Sequence, residues 1–505
     1  MSEDYGSYTP QTYPYLYEFL PRKISVSKLV SESSLNFYKK PILMLPSAVS
    51  YGMSAGASSL MYVSLIILLR QILKTGGVKA IIQAIKHENI AYIKETLPIL
   101  QLSTIFLVWI LLAIFTYSIS ELFKYAYVQK YLRTGVFSLR SAIETLRERW
   151  LHSFIASLTI SIIPLIPLIL ILFTVSFGEI ESIWVILLLA LLIPILLLIS
   201  LFIKFFVFNY IADGGTAFAS LIKSYRLASQ NLSTVISYGV LYFLIYLTIT
   251  MIVSIFSLLG VTISTMASAL QTVYVEPVFY TTKAMLYLDL RMEDRVRIKK
   301  EKVNWLRFPW KYVRRGLRSL PGFTARNTTL IAGLIMLFIA SYILGAGDAP
   351  LLWNQTSEFF ENYTPLFEKP ELLLFQKMQL AFSIFFNNWL VSIGASFSGL
   401  LIAPPILIVF FNGYIAGLIV EYASIMREAR LWPSLIPHGI IEIPVFILFN
   451  VAGIRIGYEF VKMLRSGESN LEGRIKETLY LVAGSIIPFL IAAVIETFIS
   501  PRLIP

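Results

Sequence analysis

The sequence predicts an all-α, polytopic integral membrane protein with about eleven transmembrane or re-entrant helices and additional interfacial amphipathic helices. Of its 505 residues, 57% are hydrophobic and only 14% are charged, and the mean hydropathy is +0.72. Soluble domains carry roughly 25% charged residues, so a water-soluble protein is excluded. Eleven apolar windows are long enough to enter or cross a bilayer, and none alternates as a membrane β-strand does.

The windows follow one another along the whole chain. They are Ile42–Leu69, Leu97–Ile119, Ser153–Phe177, Ile183–Ile211, Val235–Leu259, Val261–Leu286, Leu330–Gly345, Phe375–Ser396, Pro404–Tyr422, Leu435–Phe460 and Thr478–Ile499. The first contains Pro46 and the pair Gly52 and Gly56, so it either crosses the bilayer or re-enters on one side. Full crossing would leave the following lysines outside: Lys74, Lys79, Lys86 and Lys94. The first 40 residues are polar and predict no cleavable signal peptide.

Basic residues concentrate in one short stretch. The net charge is +12, and Arg291–Arg326 holds 12 Lys and Arg against 3 Asp and Glu. The positive-inside rule makes this stretch cytoplasmic. Aromatic residues interleave with its charges, which favours lipid headgroups over nucleic acid. The predicted headgroup-binding residues are Arg295, Arg297, Lys299, Lys300, Trp305, Arg307, Trp310, Arg314 and Arg315.

The basic stretch divides the chain into three predicted domains. They are a six-span domain at 1–290, the basic aromatic linker at 291–326 and a five-span domain at 327–505. This scheme places the N-terminus in the cytoplasm and the C-terminus outside. It also makes Asp348–Glu371 an external loop, in which Asn354 and Asn362 begin glycosylation sequons.

Two segments have the pattern of helices that lie in the membrane interface. One apolar face comprises Leu132, Val136, Leu139, Ile143, Leu146 and Trp150, with Arg133, Arg140, Arg147 and Arg149 opposite. The other comprises Phe218, Leu221, Ile222 and Tyr225, with Lys223 and Arg226 opposite. Basic amphipathic helices bind acidic lipid surfaces. The alternative is that each helix packs on the protein's own cytoplasmic face.

Polar side chains inside the later windows need partners, because hydrocarbon offers none. The predicted cluster contains Asn387, Asn388, Asn412, His438, Glu442 and Glu496. His438 and Glu442 lie four residues apart on one helical face, as do Arg455 and Glu459. The cluster either holds helices together, lines a permeation path, or forms a metal-dependent or acid–base site. One histidine with two scattered carboxylates is a thin coordination sphere, so no metal and no cofactor are expected.

The lack of cysteine excludes disulfides and thiolate metal sites.

Two pairs of glycines with four-residue spacing predict close helix packing, within one chain or between subunits: Gly413 with Gly417, and Gly453 with Gly457. The adjacent prolines Pro404 and Pro405 mark a break before a span.

Three segments of the C-terminal half resemble the stage II sporulation protein M family of prokaryotic membrane proteins. They are Phe386-Asn387-Asn388-Trp389 with Phe411-Asn412-Gly413-Tyr414-Ile415-Ala416-Gly417, then Ile436-Pro437-His438-Gly439-Ile440-Ile441-Glu442-Ile443-Pro444, and Ile487–Ala493 with Glu496 and Pro501. The resemblance implies a non-enzymatic scaffold that localises other proteins at a membrane.

The N-terminal half is similar to the membrane domain of glycerophosphodiester phosphodiesterase-like proteins. The similarity lies in Tyr38–Pro41 with Leu45-Pro46, in Asp213–Gly215 with Ser224–Arg226, and in Glu276-Pro277 with Tyr287–Arg291. It implies a membrane platform without phosphodiesterase activity.

Together these features predict a non-enzymatic cell-membrane protein that scaffolds or shapes the bilayer as an oligomer. Its expected partners are acidic lipid headgroups, further copies of itself and other membrane proteins, and not nucleic acid. The alternative function is a transporter or channel with a polar path through the C-terminal domain.

Overall fold

The structure is a computed structural model that describes residues 24–74, 77–86, 99–163, 183–257, 269–296, 307–360, 373–427, 432–466 and 469–503. Helices dominate these ranges, and no strand occurs within them. The helices are α1 Val26–Lys39, α2 Leu45–Lys74, α3 Gly77–Lys86, α4 Ile99–Thr134, α5 Leu139–Ile162, α6 Ile183–Ala212, α7 Ala217–Gln230, α8 Leu232–Ser257, α9 Glu276–Leu290, α10 Arg307–Ala325, α11 Thr328–Phe360, α12 Leu374–Ser398, α13 Pro404–Arg427, α14 Trp432–Ser466, α15 Leu471–Gly484 and α16 Ile486–Phe498. The prediction of an all-α polytopic membrane protein is confirmed.

Eight segments of the described residues are long and apolar enough to cross a membrane. They are Ile42–Lys74, Gln101–Thr134, Leu232–Met251, Thr328–Ser357, Leu374–Leu401, Pro404–Met426, Pro433–Arg465 and Leu471–Phe498. Each overlaps one of the eleven predicted windows. Of the other three windows, Ile183–Ile211 coincides with helix α6. Ser153–Phe177 and Val261–Leu286 extend outside the described residues.

The first window forms one continuous helix. Helix α2 runs for 30 residues without a break. Pro46 lies in its first turn, where a missing backbone N–H costs no helical hydrogen bond. Gly52 faces the backbone of Phe397 and Ser398 on α12. The helix is therefore long enough to cross, and its glycines serve packing instead of a re-entrant turn.

The predicted amphipathic helix Leu132–Trp150 is wrong as a single element. Helix α4 ends at Thr134, and Gly135 adopts a φ of +73°, a left-handed conformation that glycine tolerates best. Its N–H donates to the Tyr131 carbonyl at 2.7 Å, which closes the helix. Helix α5 then begins after Ser138, whose Oγ accepts from the Ser141 N–H at 3.2 Å. A capped turn therefore separates the two halves of the predicted apolar face.

The predicted external loop Asp348–Glu371 is also wrong over its first part. Helix α11 continues through Pro350 to Phe360, and residues 361–372 lie outside the described residues. Asp348 is a buried residue of this helix, and its carboxylate contacts charged and polar side chains of two other helices. The carboxylate is 2.6 Å from Arg70 Nε and accepts from the Tyr414 hydroxyl at 2.9 Å. These partners offset the desolvation that would otherwise push an aspartate into a loop.

The chain forms two compact units whose segments alternate along the sequence. Unit 1 comprises Met1–Leu43, Glu121–Ile245 and Pro277–Lys299, and unit 2 comprises Met44–Ser120, Tyr246–Glu276 and Lys300–Pro505. The division of the sequence into domains at 1–290, 291–326 and 327–505 stays a prediction.

Unit 1 is organised around the turn that follows α6. Asp213 begins this turn and accepts hydrogen bonds from Arg133 Nη1 and Arg291 Nη1, both at 2.7 Å, and from the Tyr287 hydroxyl at 2.8 Å. Gly214 follows with a φ of +91°. One carboxylate thus joins α4, α6, α9 and the residue after α9, a structural role for the Asp-Gly-Gly motif.

Unit 2 contains the parallel helices α11 and α13. Their contacts advance together, from Phe338 beside Gly413 to the hydrogen bond between Thr356 Oγ1 and the Tyr422 hydroxyl at 2.9 Å. The basic helix α10 packs on α15 of the same unit, because Gly316 lets its backbone meet that of Gly484. A shared apolar core includes residues from α10 to α15.

Candidate functional site

The candidate site lies between helices α12, α14 and α16 of unit 2. Asn387 and Asn388 lie in the middle of α12, His438 and Glu442 lie one turn apart on α14, and Glu496 lies near the end of α16. Helix α14 stays helical through Pro437 and Pro444, so the spacing of His438 and Glu442 is preserved. The structure therefore brings together five of the six predicted polar residues.

These side chains surround a cavity of about 330 Å³. Its lining consists of Ser383, Ile384, Asn387, Asn388, His438, Glu442 and Glu496. One ligand atom from each of His438, Glu442 and Glu496 lies within 4.8 Å of the other two. The imidazole is buried and the two glutamates are half-buried. The cavity is therefore lined mainly by polar side chains, and these side chains belong to segments that are long and apolar enough to cross a membrane.

Hydrogen bonds orient the members of the cluster. His438 Nδ1 is 3.0 Å from Ser500 Oγ, in the short turn after α16. Asn388 lines the cavity together with Glu442. Asn387 Nδ2 donates to Asn388 Oδ1 at 3.2 Å. Both asparagine amides therefore lie at the cavity that Glu442 also lines.

Among the residues that the structure describes, the lining of this cavity contains two carboxyl groups and no lysine or arginine. Two like charges about 5 Å apart in a low-dielectric site repel strongly unless a proton or a cation lies between them. His438 is the single lining group that can carry positive charge. The charges of this lining are thus chemically suited to a cation or to shared protons.

The structure places Asn412 away from this cluster. Its Nδ2 donates to the Ile408 carbonyl at 2.8 Å within α13, which satisfies the amide inside its own helix. It therefore does not line the cavity.

The predicted glycine pairs pack within this one chain. A Cβ at Gly413 would lie 2.6 Å from the Phe338 carbonyl oxygen, and one at Gly417 would lie 2.8 Å from the Tyr342 carbonyl carbon. Gly453 and Gly457 face Ala395 and Gly399 in the same way. Both pairs let helix backbones of unit 2 approach closely.

Arg455 and Glu459, which share a helical face by their spacing, each take a partner from α15. Arg455 Nη1 is 3.8 Å from Glu477, and Glu459 is 3.9 Å from Arg474 Nε. Glu477 also pairs with Arg326 at 2.5 Å. These residues form an ion-pair network separate from the cavity.

Two features were missed by the sequence reasoning. One is the cluster of Asp348, Arg70 and Tyr414, for which the signal was a pair of opposite charges at the ends of two apolar windows. The other is Gly345, whose absent Cβ lets α11 contact the backbone of Tyr414. Gly345 is the last residue of the predicted window Leu330–Gly345, so the sequence reasoning interpreted it as the end of a span and not as a position of close helix packing.

The predicted headgroup-binding residues have different surroundings. Arg295 is half-buried and bonds Glu32 and Asp289, both at 2.7 Å. Burial lowers the pKa of this guanidinium, but those hydrogen bonds outweigh it and hold the pKa above its usual value. Trp310, Arg314 and Arg315 lie exposed on α10, which begins at Arg307. Outside the described residues lie Arg297, Lys299, Lys300 and Trp305.

The two sequons also differ. Asn354 is exposed on α11, but Thr356 of the same sequon is buried and bonded to Leu352 and Tyr422. Asn362 lies outside the described residues.

Comparison with known proteins identifies relatives of the C-terminal part of the chain. Residues 327–501 match the family described as Stage II sporulation protein M. An uncharacterized protein of Methanocaldococcus jannaschii is 32% identical over 178 residues, which cover 34% of this chain and 92% of that protein. No solved structure matches the chain. Neither relative supports the similarity to glycerophosphodiester phosphodiesterase-like proteins, which stays a prediction.

Proposed function

Because this chain belongs to the stage II sporulation protein M family through its residues 327–501, we propose that it is a non-enzymatic membrane protein that scaffolds or shapes the lipid bilayer. The observation that carries this proposal is an exposed apolar surface beside basic residues on helix α7. Such a surface binds the interfacial layer of a membrane that contains acidic lipids.

Helix α7 divides its residues between two tasks. Ser220, Leu221 and Ser224 are buried, and Ser224 Oγ accepts from the Phe206 N–H at 2.9 Å. Three larger apolar residues of the predicted face are instead exposed, namely Phe218 at 67%, Ile222 at 56% and Tyr225 at 43%. Lys223 and Arg226 are exposed beside them. One side of the helix therefore packs on the protein, while Phe218, Ile222 and Tyr225 face outward, which favours contact with lipid.

Helix α10 provides a second surface of the same kind. Phe323 and Gly316 are buried toward α15. The opposite side exposes Trp310, Lys311, Arg314 and Arg318. Tryptophan beside lysine and arginine is typical of the headgroup layer. On the predicted orientation, with the N-terminus in the cytoplasm and the C-terminus outside, this surface meets the acidic cytoplasmic leaflet of the cell membrane.

Self-association and partner proteins complete the proposal. A scaffold imposes shape only when many copies act together, so we expect a homo-oligomer that also recruits other membrane proteins. Nucleic acid is not expected, because the basic residues of α10 lie beside an exposed tryptophan and not on a separate polar face.

Lipid selectivity tests this proposal. The full chain is reconstituted in neutral vesicles and in vesicles with added acidic phospholipid, and the lipids retained on gentle extraction are quantified by mass spectrometry. The double variant Lys223→Gln with Arg226→Gln removes two exposed charges. Each basic residue near an acidic surface contributes about 1 kcal/mol, so retention of acidic lipid should fall by about tenfold or more.

The matched control is the double variant Arg140→Gln with Lys476→Gln. It removes the same amount of charge from exposed residues that already pair with Glu144 and Glu472. We expect it to retain acidic lipid as the wild type does. Electron cryo-microscopy of the same vesicles measures their contour. Spherical vesicles at high protein density, or equal lipid loss in both double variants, would refute the proposal.

The second candidate function is transport along a path through the C-terminal helices. The observation that favours it is the cavity beside His438. Because the chain has no native cysteine, single cysteines along α14 can be labelled with a water-soluble thiol reagent. A path predicts periodic labelling on both sides of Glu442. Labelling that stops at the cavity would favour the scaffold.

A further inference from the structure

The cavity between α12, α14 and α16 gathers a set of side chains that metal ions use as ligands. His438 offers an imidazole nitrogen, and Glu442 and Glu496 each offer a carboxylate oxygen. We propose that these three residues bind a divalent transition-metal ion, with zinc as the ion that fits their chemistry best. This inference goes beyond the scaffold proposal and does not depend on it.

The first argument is charge. The cavity lining holds two carboxyl groups and one imidazole, while its remaining polar groups are the neutral side chains of Ser383, Asn387 and Asn388. An ionised carboxylate taken from water into a membrane-length bundle needs a counter-charge. A divalent cation neutralises both carboxylates and accepts the imidazole lone pair at once, which no neighbouring side chain of the lining can do.

The second argument is distance. Zinc binds imidazole nitrogen and carboxylate oxygen at about 2.0–2.2 Å, so its ligand atoms lie roughly 3.3 Å apart. The three atoms already lie within 4.8 Å of one another. Rotation of the terminal carboxyl groups of Glu442 and Glu496 covers the difference, since both side chains have rotatable bonds at the cavity edge.

The third argument is the support behind the ligands. His438 Nδ1 and Ser500 Oγ are 3.0 Å apart, and in the tautomer in which Nδ1–H donates to this hydroxyl, Nε2 keeps its lone pair for a metal. The amide of Asn388 lines the same cavity as Glu442. Metal sites characteristically orient their ligands through such outer contacts.

The ligand set also selects among cations. Calcium takes six to eight oxygen ligands and magnesium keeps an octahedral set with several waters. Imidazole favours zinc, copper, iron and nickel. Three protein ligands leave a fourth zinc position, and the cavity of about 330 Å³ has room for water there.

Metal content of the full chain tests the proposal. The protein is purified in detergent, stripped with a chelator, incubated with zinc, separated from excess metal and analysed by inductively coupled plasma mass spectrometry. We expect about one zinc per chain for the wild type. We expect at least a tenfold lower zinc content for Glu496→Gln and for His438→Ala. Ser500→Ala should weaken zinc affinity by about 10- to 100-fold.

The matched control is Glu421→Gln, which neutralises a half-buried glutamate on α13 that does not line the cavity. It should keep the wild-type zinc content. Zinc should also raise the thermal midpoint of the stripped wild type and leave that of Glu496→Gln unchanged, which separates metal binding from misfolding. Absence of zinc from the wild type, equal zinc in Glu496→Gln, or replacement of zinc by equimolar calcium would each overturn the proposal.

Discussion

The crossing of helices α11 and α13 predicts a large effect from a single methyl group at Gly345. A Cβ at this position would lie 2.8 Å from the Tyr414 carbonyl carbon and 2.9 Å from the Leu418 nitrogen. The two backbones would have to separate by at least about 0.6 Å to restore a normal contact of 3.4 Å. That separation also loosens the contacts of Gly413 and Gly417 with α11. Overpacking of this kind costs about 1–3 kcal/mol.

Gly347 provides the matched control, since it lies on the same helix and has no atom within 4 Å of its Cβ position. Alanine favours a helix over glycine by about 1 kcal/mol at either position. The difference between Gly345→Ala and Gly347→Ala therefore isolates the packing cost. We expect Gly345→Ala to be less stable than Gly347→Ala by about 1–3 kcal/mol in a detergent-denaturation titration followed by tryptophan fluorescence. Equal stability of the two variants would refute the close crossing.

Two further substitutions test one charged cluster in each unit by the same titration. Asp348→Asn should destabilise unit 2 by about 2–3 kcal/mol, below the 3–5 kcal/mol of fully buried pairs because Arg70 is 31% exposed. Asp213→Asn should destabilise unit 1 by about 1–3 kcal/mol, because four hydrogen bonds converge on that carboxylate while both of its arginine partners stay partly exposed. The exposed pair of Arg140 with Glu144 is the control for both, and Arg140→Gln should cost less than about 1 kcal/mol. Losses as small as that of the control would contradict both expectations.

Much of the fold follows from hydropathy, because a bilayer forces apolar runs of about 20 residues into helices. Helix ends were harder to predict. Helix α11 continues past the apolar window because Arg70 and Tyr414 compensate Asp348, and these partners are distant in sequence. The break at Gly135 was missed because the apolar periodicity continues across it, whereas the backbone turns there.

The candidate site shows a similar limit. The four-residue spacing of His438 and Glu442 predicts a shared face, because helical geometry fixes it. The approach of Glu496 and of the two asparagines depends on how α12 and α16 pack, which no local pattern encodes. Asn412 was grouped with them by residue type alone, yet its amide bonds the carbonyl four residues earlier.

The charge balance of two clusters in unit 2 distinguishes a structural network from a binding site. Glu477 contacts Arg326, Arg474 and Arg455, so its carboxylate neutralises surrounding cations. Glu496 instead shares its cavity with the carboxyl group of Glu442. The described residues that line this cavity include no lysine or arginine. In the presence of chelator, Glu477→Gln should therefore destabilise the protein by about 1–2 kcal/mol, below the cost of breaking a buried pair because Arg326 is 59% exposed.

Glu496→Gln should leave the chelated protein at least as stable as the wild type, because the substitution removes repulsion and no ion pair. Adding zinc should then reverse the order of Glu496→Gln and wild type, since only the wild type gains binding energy. Detergent titrations with and without zinc measure both orders. If the Glu496→Gln variant instead lost stability under chelator, as Glu477→Gln does, the carboxylate of Glu496 would have a structural partner, and the case for an added cation would fail.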